Sequence, residues 1–297
     1  MRDPPSLAPT VVRDAGAMEL LAGALARERV IALDTESNSF HVYRERVCLL
    51  QISTAGGDWV VDALAVDPRP LGPILAAAEV LVLHGADYDV RCLKREYGFS
   101  LPGLFDTMVA ARRLGARALG LSALVADRFG VRLSKAFQRS DWGRRPLTAA
   151  QVSYAALDTH FLLGLHEALA RDLAERGLAE AARQEFARIA AVEPRVKVFD
   201  PEGWRRMRGG RDLDPEGRAV LAALWVAREE QARAADRPPF KVMAEEAMLE
   251  VARRRPGGVE ELLRVPGVTP SVLRRMAEPI RRALGGAAGA GRADVDG

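Results

Sequence analysis

A chain of 297 residues with 48% hydrophobic side chains has room for one large domain and a smaller one with buried cores, which excludes a globally disordered protein. The formal net charge is only +3, although the pI is near 9.1 because arginine dominates the bases. That surplus suits a nucleic-acid partner and is mild enough to suit many other proteins.

The opening MRDPPSLAPT has no signal-peptide character, and no run of 18 apolar residues follows, so the expectation is a cytoplasmic protein without a membrane partner. Residues 11–28 place Met18, Leu20, Leu21 and Leu25 at helical spacing, which predicts a covering helix. Apolar runs at 30–33, 47–52 and 59–61, with the turn AGGD between the second and third, predict an antiparallel meander. Cys48 and Cys92 sit singly inside apolar segments. With no CxxC pair they exclude a disulfide framework or a thiolate zinc site and read as buried reduced thiols.

After a helical stretch at 71–78, residues 80–84 form a fourth strand and 104–105 a short fifth. Helical patterns then dominate to about residue 191, and this order predicts a mixed five-stranded sheet flanked by helices. Thr148 and Gln151 form a capping box after Pro146, starting a helix predicted to run to near Arg176 and stop at Gly177. From 193 to 212 the chain carries Pro, Gly, Lys197 and five arginines (195, 205, 206, 208 and 211), which reads as a basic linker or arm. Asp214-Pro215 opens a helix to about residue 235 with Leu221, Leu224, Trp225 and Arg228 at helical spacing. Shorter helices follow at 244–254, 259–263 and 270–284, and the Gly/Ala-rich tail 286–297 reads as disordered.

Four carboxylates stand out against this frame. Asp34 and Glu36 end the first strand of the meander, two apart and therefore on one face. The tripeptide alone is short enough to be a solvated turn. HGADYDV offers Asp87 and Asp89 after a later strand, and spacing does not choose between them, since either can favour a helix N-terminus. Asp158 lies on the capped helix with Tyr154 one turn before it, on the same face. Acids at strand ends and on a facing helix form an oxygen-only cluster suited to hard divalent cations and phosphodiester cleavage.

LDTE, HGADYD and YAALD together resemble the three exonuclease motifs of the DEDD superfamily of 3′→5′ exonucleases. The stretch LSKAFQRSDWGRRPLTAAQVSYAALD, residues 133–158, resembles the ribonuclease D signature through Lys135, Gln138, Ser140-Asp141-Trp142, Arg145-Pro146-Leu147, Gln151 and Tyr154-Ala155-Ala156. This resemblance covers about residues 28–190 and implies a ribonuclease H-like α/β fold. It implies metal ligands at Asp34, Glu36, Asp89 (not Asp87) and Asp158, with Tyr154 marking the DEDDy subclass. Residues 214–284, PPFKVMAEEAMLEVARRRP above all, resemble a single all-α HRDC domain. The implied organisation is an exonuclease domain at 1–192, a basic linker at 193–212, an HRDC domain at 213–285 and a tail.

By the same resemblance the chain is expected to release nucleoside 5′-monophosphates from RNA 3′ ends with two Mg²⁺ or Mn²⁺ ions, trimming tRNA precursors or other structured RNA as a monomer. Asp34 would bridge the ions, Glu36 and Asp158 would hold the ion that activates water, and Asp89 would support the second. Phe40, His41 and Tyr43 are candidates to stack on terminal bases, against a reading in which they pack on the sheet. Lys135, Gln138 and Arg139 are candidate phosphate contacts, as are Arg112, Arg113, Arg117, Arg144, Arg145 and the arm. His84 joins the substrate candidates, although a hydrogen-bonded structural histidine is the better reading. Asp106-Thr107 reads as structural support and Trp142 as core. Two rivals stand: a DEDD exonuclease acting on single-stranded DNA, and a non-catalytic RNA-binding scaffold, disfavoured because all four acids are present.

Overall fold

The computed structural model describes residues 3–5, 7–194 and 198–293. The chain forms two compact units: residues Met1–Asn38 with Arg46–Arg195, and Ser39–Glu45 with Val196–Gly297.

The first unit is a mixed sheet of order β1-β4-β3-β2-β5-β6, with β1 Thr10–Val12, β2 Val30–Ser37, β3 Val47–Thr54, β4 Gly57–Asp62, β5 Val80–Leu83 and β6 Leu104–Asp106. β2, β3 and β4 form the expected antiparallel meander, and β5 and β6 add in parallel beyond β2. The sixth strand is β1, which pairs in parallel with β4. Three residues carry too little alternation to announce it, because its partner Trp59–Val61 lies some fifty residues on. The helices are α1 Ala15–Leu25, α2 Gly72–Ala77, α3 Asp87–Tyr97, α4 Thr107–Arg113, α5 Leu121–Phe129, α6 Ala149–His160, α7 Leu162–Glu175 and α8 Ala179–Ala190. Both faces of the sheet are covered. Ile31, Leu33, Leu50 and Ile52 pack with α1 and α3, while Ala32, Val82 and Phe105 pack with α4, α5 and α7.

The capping box of α6 forms as expected, with Thr148 accepting from the Gln151 amide and Gln151 accepting from the Thr148 amide. The predicted single helix to Arg176 does not form. It breaks at Phe161 into α6 and α7. Thr159 Oγ1 contacts Ser53 Oγ on β3 at 2.7 Å and reaches back to the Ala156 carbonyl at 3.4 Å. Such back-bonding by threonine bends helices, and it also pins α6 to the sheet.

In the second unit α9 Pro215–Ala234, α10 Pro239–Val242, α11 Glu245–Arg254, α12 Val259–Leu263 and α13 Pro270–Ala293 enclose Val220, Leu221, Leu224, Met248, Val251, Met276 and Ile280. α13 continues through Leu284 to Ala293, where a disordered tail was expected, because alanine supports the helix despite the glycines. Residues 294–297 lie outside the described residues. The basic linker is also revised. Residues 203–212 carry two 3₁₀ turns, Trp204 and Met207 are buried in the helical core, and Arg205 and Arg206 are paired with Glu202 and Asp200. Neighbouring acids cancel much of the charge that suggested a nucleic-acid arm. Arg195 and Lys197 fall outside the described residues.

Candidate active site

β2 presents Asp34 and Glu36 two residues apart, with Asp34 opposite Gln51 and Glu36 opposite Leu49 on β3. The ladder shifts register between Glu36 and Ser37, so regular pairing ends where the second acid stands. α6 packs over the same strands and brings Tyr154 and Asp158 to this face.

Local chemistry distinguishes the two acids of α3. Asp87 is exposed and paired with Arg91 one turn on, through contacts of 2.9 and 3.0 Å. Asp89 is only 6% exposed and accepts a 2.5 Å hydrogen bond from the Thr35 hydroxyl, the residue between the two β2 acids. Asp106 fixes the start of α3. Fully buried, its carboxylate accepts from the amides of Gly85 (3.1 Å) and Ala86 (2.8 Å) ahead of α3, and from Met108 (2.8 Å) and Val109 (3.1 Å) at the start of α4. Gly85 takes φ +70°, the left-handed conformation that lets β5 turn directly into this clamp. Thr107 donates to the Leu83 carbonyl and contacts His84 Nδ1 at 2.9 Å. Burial holds the His84 pKa below its ordinary value, and its Nδ1 is occupied by Thr107.

The electrostatics show that the four acids act on one another. Burial, then Asp89, Asp158 and Glu36, raise Asp34 well above the ordinary carboxylate range. Burial followed by Asp158 and Asp89 pushes Glu36 up to about 9. Asp158 is raised by burial. Asp89 is also raised by burial, against the lowering effect of the Thr35 hydrogen bond. Burial, then Asp158, Glu36 and Asp34, raise the Tyr154 phenol, so it stays protonated at neutral pH. Among the described residues no lysine or arginine pairs with any of the four acids, so their repulsion is left uncompensated by the protein. Nor is any group of three His, Cys, Asp or Glu side chains among the described residues arranged to hold an ion as it stands. The donor chemistry nevertheless fits hard divalent cations: oxygen only, negatively charged and unneutralised.

Residues 135–147 support the site more than they form it. Arg145 grips buried Asp62 at the end of β4 through Nε (2.7 Å) and Nη2 (2.6 Å) and also donates to the Trp142 carbonyl. It is therefore a structural arginine and not a phosphate contact. Trp142, 1% exposed, stacks on Tyr154 with centroids 6.1 Å apart, and Phe137 meets the same ring edge-on at 5.5 Å. Lys135, Gln138 and Arg139 are exposed on the preceding segment. Arg112 and Arg113 are paired with Glu185, which weakens their candidacy as phosphate contacts.

Phe40, His41 and Tyr43 belong to the second unit. Tyr43 packs on the helical core, donates its hydroxyl to Glu229 and its amide to Asp236, and lies 5.8 Å from the Arg233 guanidinium, so it is a packing residue and not a free stacking ring. His41 Nδ1 lies 3.4 Å from Lys241 Nζ, and Phe40 is 52% exposed. Two further residues of the first unit carry no signal of their own in the sequence: Gln51, one position within the buried strand β3, and Thr35, between the two β2 acids.

Residues 9–174, more than half of the chain, match the family model described as 3′-5′ exonuclease, and residues 217–284 match the HRDC domain. The sheet and its four-acid face thus belong to a 3′-5′ exonuclease domain, followed in the chain by one HRDC domain. Ribonuclease D of Acidiphilium cryptum is 33% identical over 270 residues, covering 88% of this chain and 67% of the relative. The catalytic core of RRP6 from Trypanosoma brucei superposes with a TM-score of 0.86 at 29% identity, over 98% of this chain and 84% of that one. Escherichia coli RNase D, described as an exoribonuclease involved in structured RNA processing, superposes with a TM-score of 0.72 at 28% identity, over 95% and 76%. The chain belongs to the ribonuclease D family. It spans 63 to 67% of the length of the ribonuclease D relatives it matches in Gluconacetobacter diazotrophicus, A. cryptum and Granulibacter bethesdensis.

Proposed function

We propose that this chain is a cation-dependent 3′–5′ exoribonuclease that hydrolyses the terminal phosphodiester of RNA and releases nucleoside 5′-monophosphates. The single observation behind this reading is the uncompensated four-acid face of β2, α3 and α6, with the Tyr154 hydroxyl close enough to feel three of those charges. Asp34, Glu36, Asp89 and Asp158 would hold two divalent cations, Mg²⁺ or Mn²⁺. When bound, these would supply Lewis acidity at the scissile phosphate and lower the pKa of water. Tyr154, kept as a neutral phenol, orients the attacking water by hydrogen bonding and does not act as a base. Trp142 and Phe137 fix its ring from two sides. The names of the relatives support RNA as the polymer and structured RNA as the class.

Digestion of 5′-labelled RNA and DNA oligonucleotides of one sequence, with and without a 3′-phosphate block, tests this reading. The expected pattern is a ladder of 3′-shortened RNA and free 5′-monophosphates in Mg²⁺ or Mn²⁺, none in EDTA, and markedly slower loss of DNA. Equal or faster attack on DNA would assign the chain to the deoxyribonuclease alternative.

Tyr154→Phe keeps the ring contacts with Trp142 and Phe137 and removes only the hydroxyl. Its kcat should fall about 10- to 100-fold, with cation binding and melting temperature close to wild type. Undiminished kcat in single-turnover assays would remove Tyr154 from the reaction.

A further inference from the structure

Gln51 is fully buried on β3, and neither its side-chain oxygen nor its side-chain nitrogen has a hydrogen-bond partner. A buried amide left wholly unpaired is destabilising, so its presence calls for an explanation. Its surroundings are specific. Gln51 stands directly opposite Asp34 in the antiparallel ladder, so the two side chains share a face, and on its other side it pairs with Val60 of β4. Leu49 and Ser53 flank it along the same strand face, and α6 covers that face.

The remaining polar groups of this layer narrow the possible partners. Ser53 is already engaged with Thr159 at 2.7 Å and Asp58 at 2.6 Å. The carboxylates of Asp34 and Asp158 have no ion pair among the described residues, and Asp34 is the direct cross-strand neighbour. Facing side chains in such a pair have Cβ atoms about 4.5–5.5 Å apart, within reach of a glutamine amide.

We infer that Gln51 is a positioning residue for the cation site: its Nε2 donates to the inner oxygen of Asp34 when the outer oxygen holds a divalent cation. This rests on the cation-dependent reading proposed above. An amide suits the task because it orients the carboxylate without neutralising it. A lysine or arginine here would form an ion pair with Asp34 and compete with the cation, and a hydroxyl would be too short to cross the ladder. Orienting partners of metal ligands typically change affinity or activity by about 10- to 100-fold when removed.

The test is Mn²⁺ binding by isothermal titration calorimetry to the full chain, comparing wild type with Gln51→Met and Gln51→Leu, alongside thermal melts in EDTA. Both variants replace an unpaired amide with an apolar group of similar size, so neither should melt below wild type without cation. Both should bind Mn²⁺ about 10- to 100-fold more weakly, with KM for RNA unchanged at saturating cation. Wild-type affinity in both variants would overturn the role of Gln51 and leave the exonuclease reading standing. So would a loss of affinity accompanied by a lower melting temperature in EDTA, which would make Gln51 a packing residue only. A wild-type chain that binds no Mn²⁺ would sink both the cation reading and this one.

Discussion

Asp34→Asn is expected to lower cation-dependent RNA hydrolysis by about 10³-fold or more, equivalent to roughly 4 kcal/mol of barrier, while the fold survives. Asp34 feels all three other acids and stands in the regular part of the β2–β3 ladder, where its backbone is held opposite Gln51. The asparagine amide keeps the shape and removes the charge, so the loss should fall on cation binding and chemistry and not on folding. The check is release of 5′-monophosphates from 5′-labelled RNA in Mg²⁺, paired with circular dichroism and a thermal melt of the same preparation. Turnover within a few-fold of wild type would move the active site elsewhere in the chain.

Glu36→Gln should do something most active-site substitutions do not, which is to stabilise the cation-free protein at neutral and alkaline pH. Glu36 has a pKa near 9 in the folded chain against an ordinary value of 4.5. Over that interval the folded state retains a proton that the unfolded chain has released, so stability falls as pH rises from about 4.5 to about 9. One pKa unit corresponds to about 1.4 kcal/mol, but Glu36 is partly open to solvent and screening removes much of it, leaving about 1–3 kcal/mol at pH 8. In EDTA the glutamine variant should therefore melt several degrees above wild type at pH 8, and the gap should close near pH 5. Added Mg²⁺ or Mn²⁺ should raise the wild-type melting temperature more at pH 8 than at pH 5.5, and should raise that of Glu36→Gln much less. Parallel melting curves for the two proteins from pH 5 to 9 would show that the acids do not repel one another in solution.

The elements read correctly from sequence are those whose cause is local. The apolar runs of β2, β3 and β4, the AGGD turn and the Thr148–Gln151 box each act within a few residues, so their physics is visible in a short window. The misread elements depend on a distant partner. β1 exists because β4 offers an edge, and α6 ends at His160 because Ser53 holds Thr159. The basic segment at 203–211 is the exception, since Arg205 and Arg206 pair with Glu202 and Asp200 only three and six residues away. At the site, the residue types of the four acids and Tyr154 were legible. Their shared field, the Thr35 contact that separates Asp89 from Asp87, and the Asp106 clamp were not, since each spans tens of residues. Gln51 was hidden for another reason: in a strand buried on both faces, a polar side chain gives no periodic signal.

The grip of Arg145 on Asp62 and the Trp142 stack bear on how such chains are sorted by sequence. The longest stretch of recognisable sequence, residues 135–158, is held together largely by architecture: a strut to the sheet edge, an aromatic brace and a helix cap. A copy that had lost its chemistry would still need all three to fold. Such a pseudoenzyme would keep its diagnostic stretch up to the final aspartate and still be filed as a nuclease. On the function proposed above, the positions that would separate an active chain from an inert one are the scattered single letters at 34, 36, 89 and 158.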